Sequence, residues 1–437
     1  MLPTPSTTRD KHHAFHGTAV VRAAFVSAVL GWGMGFYGPP VFLYAVMTAR
    51  DWSLTLVSAA VTLHFLFGAV VVSCMPRLHA RYGVPRVTMV GACVLAIGTI
   101  GWAMARTHGQ LFAAAMLSGA GWVTLSAAGI NAMIAPWFER QRPMALSKAY
   151  NGASVGGMLF APLWSVLIAQ FGFTVAAWII SSAMLAIMAW LTLRVLRFTP
   201  AMLGQRPDGN SDSTNAPASR ANAAPRNRPL ACPPLPGASL WRSRRFQTLA
   251  ATMSLSLFAQ SGMIAHLYSL LAPQMGAQQA GWAMTVLTAC AMLGRILYAR
   301  ALDRVQERRM LSCVSFFMQM CGCVLLLTAP RTGAQLWCGL VLFGAGVGNT
   351  ISLPPLIAQA DFAAVDVARV VALIVAISQA LYAFAPLAFS LLMKIPPGSV
   401  WLFGGAIGLQ MLAIAVLWSG RARGGSAPES PAHSPRR

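Results

Sequence analysis

Charged residues are scarce in this chain, and their scarcity excludes an ordinary soluble domain. They make up 10% of the 437 residues, whereas soluble domains carry roughly 25%. Acidic residues are the scarcest, with 10 Asp and Glu against 32 Lys and Arg. The net charge of +22 does not indicate nucleic-acid binding, because the basic residues form short clusters between apolar runs, as the topology signals of membrane proteins do.

Several chemical signatures are also missing. Seven of the eight cysteines lie in apolar runs, where a lone Cys behaves as a small hydrophobe. Cys321 and Cys323 lack the further ligands that a zinc site needs. There is no Gly-Lys-Ser or Gly-Lys-Thr phosphate loop for ATP and no cleavage site of a removable signal peptide. We therefore expect no metal, no disulfide and no cofactor.

Long apolar runs dominate the sequence, which is 57% hydrophobic with a mean hydropathy of +0.61. A helix needs roughly 20 apolar residues to cross a bilayer core about 30 Å thick. The sequence therefore predicts an all-α integral membrane protein with twelve transmembrane helices, at 19–47, 54–75, 87–105, 111–136, 145–169, 174–196, 247–272, 280–302, 310–328, 334–359, 370–393 and 399–419.

The twelve runs divide into two similar halves. Three short matches recur at offsets of 223 to 225 residues: Phe160-Ala161-Pro162-Leu163 with Phe384-Ala385-Pro386-Leu387, Gly119-Ala120-Gly121 with Gly344-Ala345-Gly346, and Arg81 with Arg304. Such a repeat is typical of transporters. We predict a tail (1–18), a six-helix bundle (19–196), a disordered linker rich in Pro, Ser, Asn and Arg (197–246), a second bundle (247–420) and a tail (421–437).

The distribution of Lys and Arg predicts the orientation, because cytoplasmic loops carry the positive charge. One class of alternate loops holds only Arg50, Arg106, Arg331 and Lys394. The other class includes both termini, the linker, and Arg77, Arg81, Arg86, Arg140, Arg142, Lys148, Arg304, Arg308, Arg309 and Arg369. We therefore expect both termini in the cytoplasm, and the Arg-rich composition suggests a bacterial inner membrane.

Two loops carry a resemblance to a known family. The stretch from Gly294-Arg295 through Leu302-Asp303-Arg304 to Arg308-Arg309 resembles the cytoplasmic loop motif of the major facilitator superfamily. Its counterpart from Arg77 to Arg86 is degraded, with Ala80 at the usual Asp. Within the superfamily, the chain resembles the monocarboxylate and oxalate–formate group through Asp51-Trp52-Ser53, through Trp137 to Leu146, and through the Gly-rich stretch from Gly152 to Pro162.

The resemblance implies a monomeric secondary transporter in the lipid bilayer that moves a mono- or dicarboxylate by alternating access. Two departures concern the substrate: Ala291 stands where that group often has a carboxylate, and Val370 to Met393 contains no Lys. No Asp or Glu lies clearly inside a run, which favours exchange or facilitated movement over a proton relay. The resemblance and the repeat also suggest a conformational gate formed by Arg81, Asp303, Arg304 and Arg142, with Asp303 near the start of the fifth helix.

Polar side chains inside the runs are candidates for substrate contact, because they are costly in lipid. Arg295 is the deepest permanent cation, and its alternative is snorkelling to the interface. His64 is a candidate that a structural, hydrogen-bonded histidine explains equally well. Tyr37 precedes Pro39-Pro40, which frees backbone groups. Four amides are candidates for substrate contact, although amides also serve as packing contacts: Asn131, Asn349, Gln260 and Gln379. Asn131, Asn349 and Gln379 complete the predicted substrate site.

Other function classes fit less well. Gly152-Ala153-Ser154-Val155-Gly156 has the spacing of a hydrolase nucleophile elbow, but that chemistry needs a strand–turn–helix in a soluble sheet. The chain is therefore not predicted to be an enzyme, and a membrane sensor would need an added soluble domain. The many Met, Trp and Phe residues keep one alternative within the same class, the export of a drug-like compound or secondary metabolite.

Overall fold

The structure is a computed structural model that describes residues 15–209, 237–302, 308–329, 333–350 and 353–420. Within these ranges the chain is helical and forms no strand. Ten stretches of helix are long and apolar enough to cross a membrane. The stretch Arg142–Leu196 contains two crossings, and the shorter apolar helix Ala334–Val347 begins a further one. Twelve spans result, so the predicted fold class is confirmed.

The N-terminal half contains spans one to six. Span one consists of helices Gly17–Gly35 and Gly38–Arg50, and span four of His108–Leu125 and Ala127–Ile134. Spans two and three are single helices, Leu54–Tyr82 and Val84–Met104. Spans five and six form one long helix, Arg142–Leu191, that continues as a π-helix, Thr192–Leu196. Gly172 separates them with φ 78° and ψ 162°, a conformation that favours glycine because a side chain would be strained there.

The C-terminal half begins with a short helix, Gly237–Arg242, and then contains spans seven to twelve. Spans seven, eight, nine and twelve are the single helices Arg244–Met275, Ala277–Leu302, Arg308–Thr328 and Gly398–Ser419. Span ten consists of Ala334–Val347 and Leu353–Asp361, and span eleven of Ala364–Tyr382 and Ala385–Leu392. The fourth helix of the repeat is therefore interrupted in both halves, the first only in the N-terminal half and the fifth only in the C-terminal half. Each interruption frees backbone groups that need new partners.

Contacts between the halves lie toward one end of the spans. We call the end that carries Tyr82 and Arg142 the arginine-rich face, and the end that carries Arg50 and Met275 the opposite face. The hydrogen bonds that join the halves among the described residues are Ser165 Oγ with Tyr268 Oη (2.8 Å), Leu387 N to Thr62 Oγ1 (3.2 Å) and Thr285 Oγ1 to the Met158 carbonyl (2.8 Å). All three lie from the middle of the spans toward the opposite face, which is closed in this conformation.

The described ends of the predicted linker are structured, so the predicted disorder is wrong there. Residues 201–203 and 207–209 form 3-10 turns, and the Asp208 carboxylate accepts hydrogen bonds from the backbone N–H groups of Glu139, Arg140 and Gln141 at 3.3, 2.8 and 3.3 Å. In the short helix before span seven, Leu240 is fully buried. Composition did not reveal these ends because one carboxylate and one leucine suffice to hold them. Residues 210–236 lie outside the described part.

Candidate functional site

Arg295 lies half-buried on span eight. Its Nε atom donates a hydrogen bond to the carbonyl oxygen of Gly348, 3.0 Å away, in the interruption of span ten. Spans eight and ten can approach this closely because Gly294 and Gly348 have no side chains. A Cβ atom at Gly294 would collide with the Ala345 carbonyl, and one at Gly348 with the Ala291 carbonyl. No ion pair joins the guanidinium to an Asp or Glu of the described residues, and the neutral Tyr37 hydroxyl lies within electrostatic range of it.

Tyr37 belongs to the other half of the protein and lies within electrostatic range of Arg295. It lies at the interruption of span one, directly before helix Gly38–Arg50. Its ring rests on span five at Gly157, where an added Cβ atom would lie 2.6 Å from ring atom Cε2 and 2.8 Å from the Thr288 Cγ2 atom of span eight. Tyr37 therefore lies where spans one, five and eight meet, and its role in substrate binding stays a prediction.

Asn131 lies in a second polar contact of the N-terminal half. Its Nδ2 atom donates to the Tyr150 hydroxyl oxygen at 2.5 Å and to the Ala127 carbonyl at 2.9 Å. The Tyr150 ring lies edge-on to Trp32 of span one, with 6.4 Å between centroids. Arg142, the first residue of span five, lies within electrostatic range of the Tyr150 hydroxyl. Asn131 thus connects spans four and five on the side of the molecule that leads to the arginine-rich face.

Tyr150 and Thr288 are two candidates that the sequence analysis did not identify, although their spacing from neighbouring site residues was detectable. Tyr150 and Gly157 are seven residues apart on span five, and Thr288 and Arg295 are seven apart on span eight. Seven residues are two helical turns, so each pair lies on one face of its helix. That spacing signals a shared face, although it does not say which partner the face meets.

His64 does not support the predicted substrate contact. It is 1% exposed, and both ring nitrogens have partners: Nδ1 lies 2.8 Å from Ser118 Oγ and Nε2 lies 2.8 Å from the Gly35 carbonyl oxygen. The ring also stacks on Trp122, with 5.7 Å between centroids. A carbonyl only accepts, so Nε2 carries the proton and Nδ1 accepts from Ser118. His64 ties spans two and four to the carbonyl that the interruption of span one leaves free, and neither nitrogen remains for a solute.

Asn349 is buried within the C-terminal half, where its side chain contacts span nine. It is 3% exposed, and its Nδ2 atom donates to Ser315 Oγ of span nine at 2.8 Å. The sequence predicted a substrate contact because Asn349 is polar and lies within a span, and packing between helices was the alternative; the hydrogen bond to Ser315 is a contact of that packing kind. Gln379 is half-buried on span eleven, three residues before Tyr382.

Aromatic rings line the boundary between the halves. Phe36 of span one and Phe65 of span two are 5.9 Å apart, and Phe65 lies 6.0 Å from Tyr382 of span eleven. Phe36 and Phe65 also line a small pocket against span seven, which contributes Ser261, Ile264 and Ala265. Apolar and aromatic side chains from both halves therefore meet at this level of the spans.

The predicted gate is only partly visible. Asp303 and Arg304 lie outside the described residues. Arg81 is exposed, with its guanidinium 5.4 Å from the centroid of the Tyr82 ring, and Arg142 is exposed at the first residue of span five. Among the described residues, the carboxylate at the amides before span five is Asp208. Within the same residues, no cluster of His, Cys, Asp and Glu is arranged to hold a metal ion.

Comparison with known proteins gives the family. The model described as "Major Facilitator Superfamily" matches residues 23–386. No curated protein matches the sequence. Among solved structures, the nucleoside transporter NupG has a TM-score of 0.68 at 11% identity, covering 93% of this chain and 98% of that one, and a point mutant of NupG matches almost equally, with a TM-score of 0.68 at 10% identity and coverages of 92% and 98%.

A bacterial homologue of the human lysosomal transporter Spinster, in an inward-facing and unoccupied conformation, has a TM-score of 0.60 at 12% identity over 93% of this chain and 95% of that one. At these identities the structural likeness supports the fold alone. The family match, in contrast, extends from span one into span eleven. The chain belongs to the Major Facilitator Superfamily.

Proposed function

We propose that this transporter moves a small organic anion, a mono- or dicarboxylate, with Arg295 as the group that binds the carboxylate. The observation that carries the proposal is the half-buried Arg295 guanidinium without a carboxylate partner among the described residues. An unpaired charge away from water is costly, and a guanidinium offers a fork of donors that matches a carboxylate. An incoming anion would supply the missing partner.

The position of Arg295 suits a transported solute. The neighbouring Tyr37 belongs to the other half of the protein, so an anion at Arg295 would contact both halves at once. Rocking of the halves would then expose it to one side at a time, which is alternating access. The contacts between the halves lie toward the opposite face. If the arginine-rich face is cytoplasmic, as the loop charges predict, this conformation opens inward.

The mode of energy coupling depends on where the carboxylates lie relative to the spans. Asp361 and Asp366 lie at the ends of spans ten and eleven rather than in their middle, and Asp361 is paired with Arg309 at 2.6 Å, so we propose exchange or facilitated movement rather than a proton relay. A second candidate, export of a drug-like or secondary-metabolite compound, is favoured by the aromatic rings Phe36, Phe65 and Tyr382 between the halves. Such rings offer apolar faces on which a flat solute can stack.

Transport by the purified protein in proteoliposomes tests the proposal. We expect saturable uptake or exchange of at least one labelled carboxylate from a panel of lactate, benzoate and succinate, and none of uridine or ethidium. Protein-free liposomes are the control for leakage. Transport of ethidium without any carboxylate would favour drug export, and transport of uridine would favour a nucleoside, the solute named for NupG.

The orientation gives a separate prediction. We expect a reporter fused within the linker at 210–236 to be active only in its cytoplasmic form, because the loops on that side carry most of the Lys and Arg. A matched fusion in the loop between Arg50 and Leu54 should show the opposite activity. A linker reporter that is active only outside the cytoplasm would contradict the orientation and reverse the inward-open assignment.

A further inference from the structure

The C-terminal half contains a buried network of amide side chains that substrate contact does not explain. We call it the amide network, and it consists of Gln260, Gln319, Gln410 and Thr350 from spans seven, nine, twelve and ten. All four are at most 4% exposed. The Gln319 Oε1 atom accepts hydrogen bonds from Nε2 of Gln260 and Nε2 of Gln410, each at 2.9 Å. Gln260 Nε2 also donates to Thr350 Oγ1, at 2.5 Å.

The amide network holds the interruption of span ten. Thr350 belongs to that interruption, and Gln319 packs directly on span ten, because a Cβ atom at Gly346 would lie 2.6 Å from Gln319 Cγ. Next to Thr350, the Asn349 Nδ2 atom donates to Ser315 Oγ of span nine at 2.8 Å. Two neighbouring residues of the interruption are therefore held by side chains of two other spans, seven and nine.

The same interruption carries the carbonyl that binds Arg295. Gly348 lies two residues before Thr350 and accepts the hydrogen bond from Arg295 Nε at 3.0 Å. This segment is outside regular helix, so its carbonyl direction is set by what holds the neighbouring residues rather than by helical hydrogen bonds. A hydrogen bond weakens steeply when its angle deteriorates, and the placement of the guanidinium therefore depends on the network.

The polar content of this region also indicates a role beyond stability. The Oε1 atom of Gln410 and the Oδ1 atom of Asn349 are buried without a hydrogen-bond partner among the described residues. Each unsatisfied buried group is costly, and departures from local optimality are expected at functional sites. Apolar side chains of the same volume would avoid that cost, but they would not hold the interruption in one arrangement.

We propose that Thr350 and Gln319 are positioning residues for Arg295, acting through the interruption of span ten. The inference rests on the proposed function only for the role of Arg295 as the anion-binding group. The position of its guanidinium does not depend on which substrate is transported. Loss of the network would let the Gly348 carbonyl reorient and would free the Arg295 Nε hydrogen bond, so that the guanidinium becomes more mobile and more accessible.

The test measures the reactivity of Arg295 itself. The purified full-length transporter is treated with phenylglyoxal, and the modification rate of Arg295 is followed by peptide mass spectrometry. We expect Thr350→Val to raise the rate about two- to tenfold, the change in population that loss of one hydrogen bond typically causes. Thr350→Ser keeps the hydroxyl acceptor and should react like wild type. Gln319→Met, a change of similar volume, should also raise the rate.

Controls separate positioning from general loosening. Gln335 lies at the other end of span ten, where its Nε2 atom donates to Thr328 Oγ1 at 2.7 Å, and Gln335→Met should leave Arg295 reactivity unchanged. If Gln319→Met does not fold, the Thr350 pair decides alone. Unchanged Arg295 reactivity in folded Thr350→Val, or equal rates for the Val and Ser variants, overturns the proposal. A failure of anion binding instead appears as normal transport by Arg295→Gln, so the two failures are distinguishable.

Discussion

Arg295→Gln is expected to reduce carboxylate transport by about a hundredfold or more. A buried charge pair that loses one partner is typically destabilised by about 3–5 kcal/mol, because the remaining charge stays desolvated without compensation. In the variant, the anion would enter the space between Tyr37 and span eight without a cation to receive it. Initial rates of uptake in proteoliposomes, measured for the carboxylate that wild type transports, give the factor directly.

Two further variants define what Arg295 contributes. Arg295→Lys keeps the charge but has no Nε atom to donate to the Gly348 carbonyl and no bidentate fork, so we expect only partial recovery. Arg300→Gln removes an exposed arginine five residues further along the same span and should transport like wild type. Normal carboxylate transport by Arg295→Gln would show that the residue only snorkels to the interface, and drug-like export would become the better proposal.

Gly348→Ala is expected to lose both stability and transport. A methyl group at Gly348 would collide with the backbone carbonyl oxygen of Ala291, which cannot move aside as the end of a flexible side chain can. Overpacking of this kind typically costs about 1–3 kcal/mol and occasionally more. Because Gly348 also provides the acceptor for Arg295 Nε, the separation of spans eight and ten should displace the guanidinium as well.

The midpoint of thermal unfolding in detergent and the transport rate together test this prediction. Gly404→Ala and Gly408→Ala are matched controls, because a Cβ atom at either position meets nothing within 4 Å and alanine is favoured over glycine in a helix. Both should equal or exceed wild type in stability. A Gly348→Ala protein with the stability and transport of wild type would mean that spans eight and ten do not pack as closely as the structure shows.

The sequence was sufficient for the class of fold. Apolar runs of spanning length occur because a helix in lipid must satisfy its backbone internally and present apolar side chains outward, and this constraint acts on each helix separately. The short matches at offsets of 223 to 225 residues were enough to predict two halves. Arg295 and Tyr37 were also predicted as substrate contacts from local signals, a deep charge and a proline-marked interruption.

The sequence was insufficient wherever a side chain had a choice of neighbours. His64 and Asn349 are polar residues within spans, like Arg295, but they turn to Ser118 and Ser315 inside their own halves. No periodicity distinguishes a polar group that faces a solute from one that ties two helices together, because both are internal to the bundle.

By itself, therefore, the sequence determined the helices, their number and the superfamily resemblance, since these follow from hydropathy along one helix and from short local motifs. Tertiary structure alone decided that Tyr37, Gly157 and Thr288 meet, that Asp208 binds the amides before span five, and that the halves close toward the opposite face. Each of these depends on the packing of segments that are distant in the chain. The absence of a side chain at Gly157 selects one contact, and the backbone amide of Arg140 selects another.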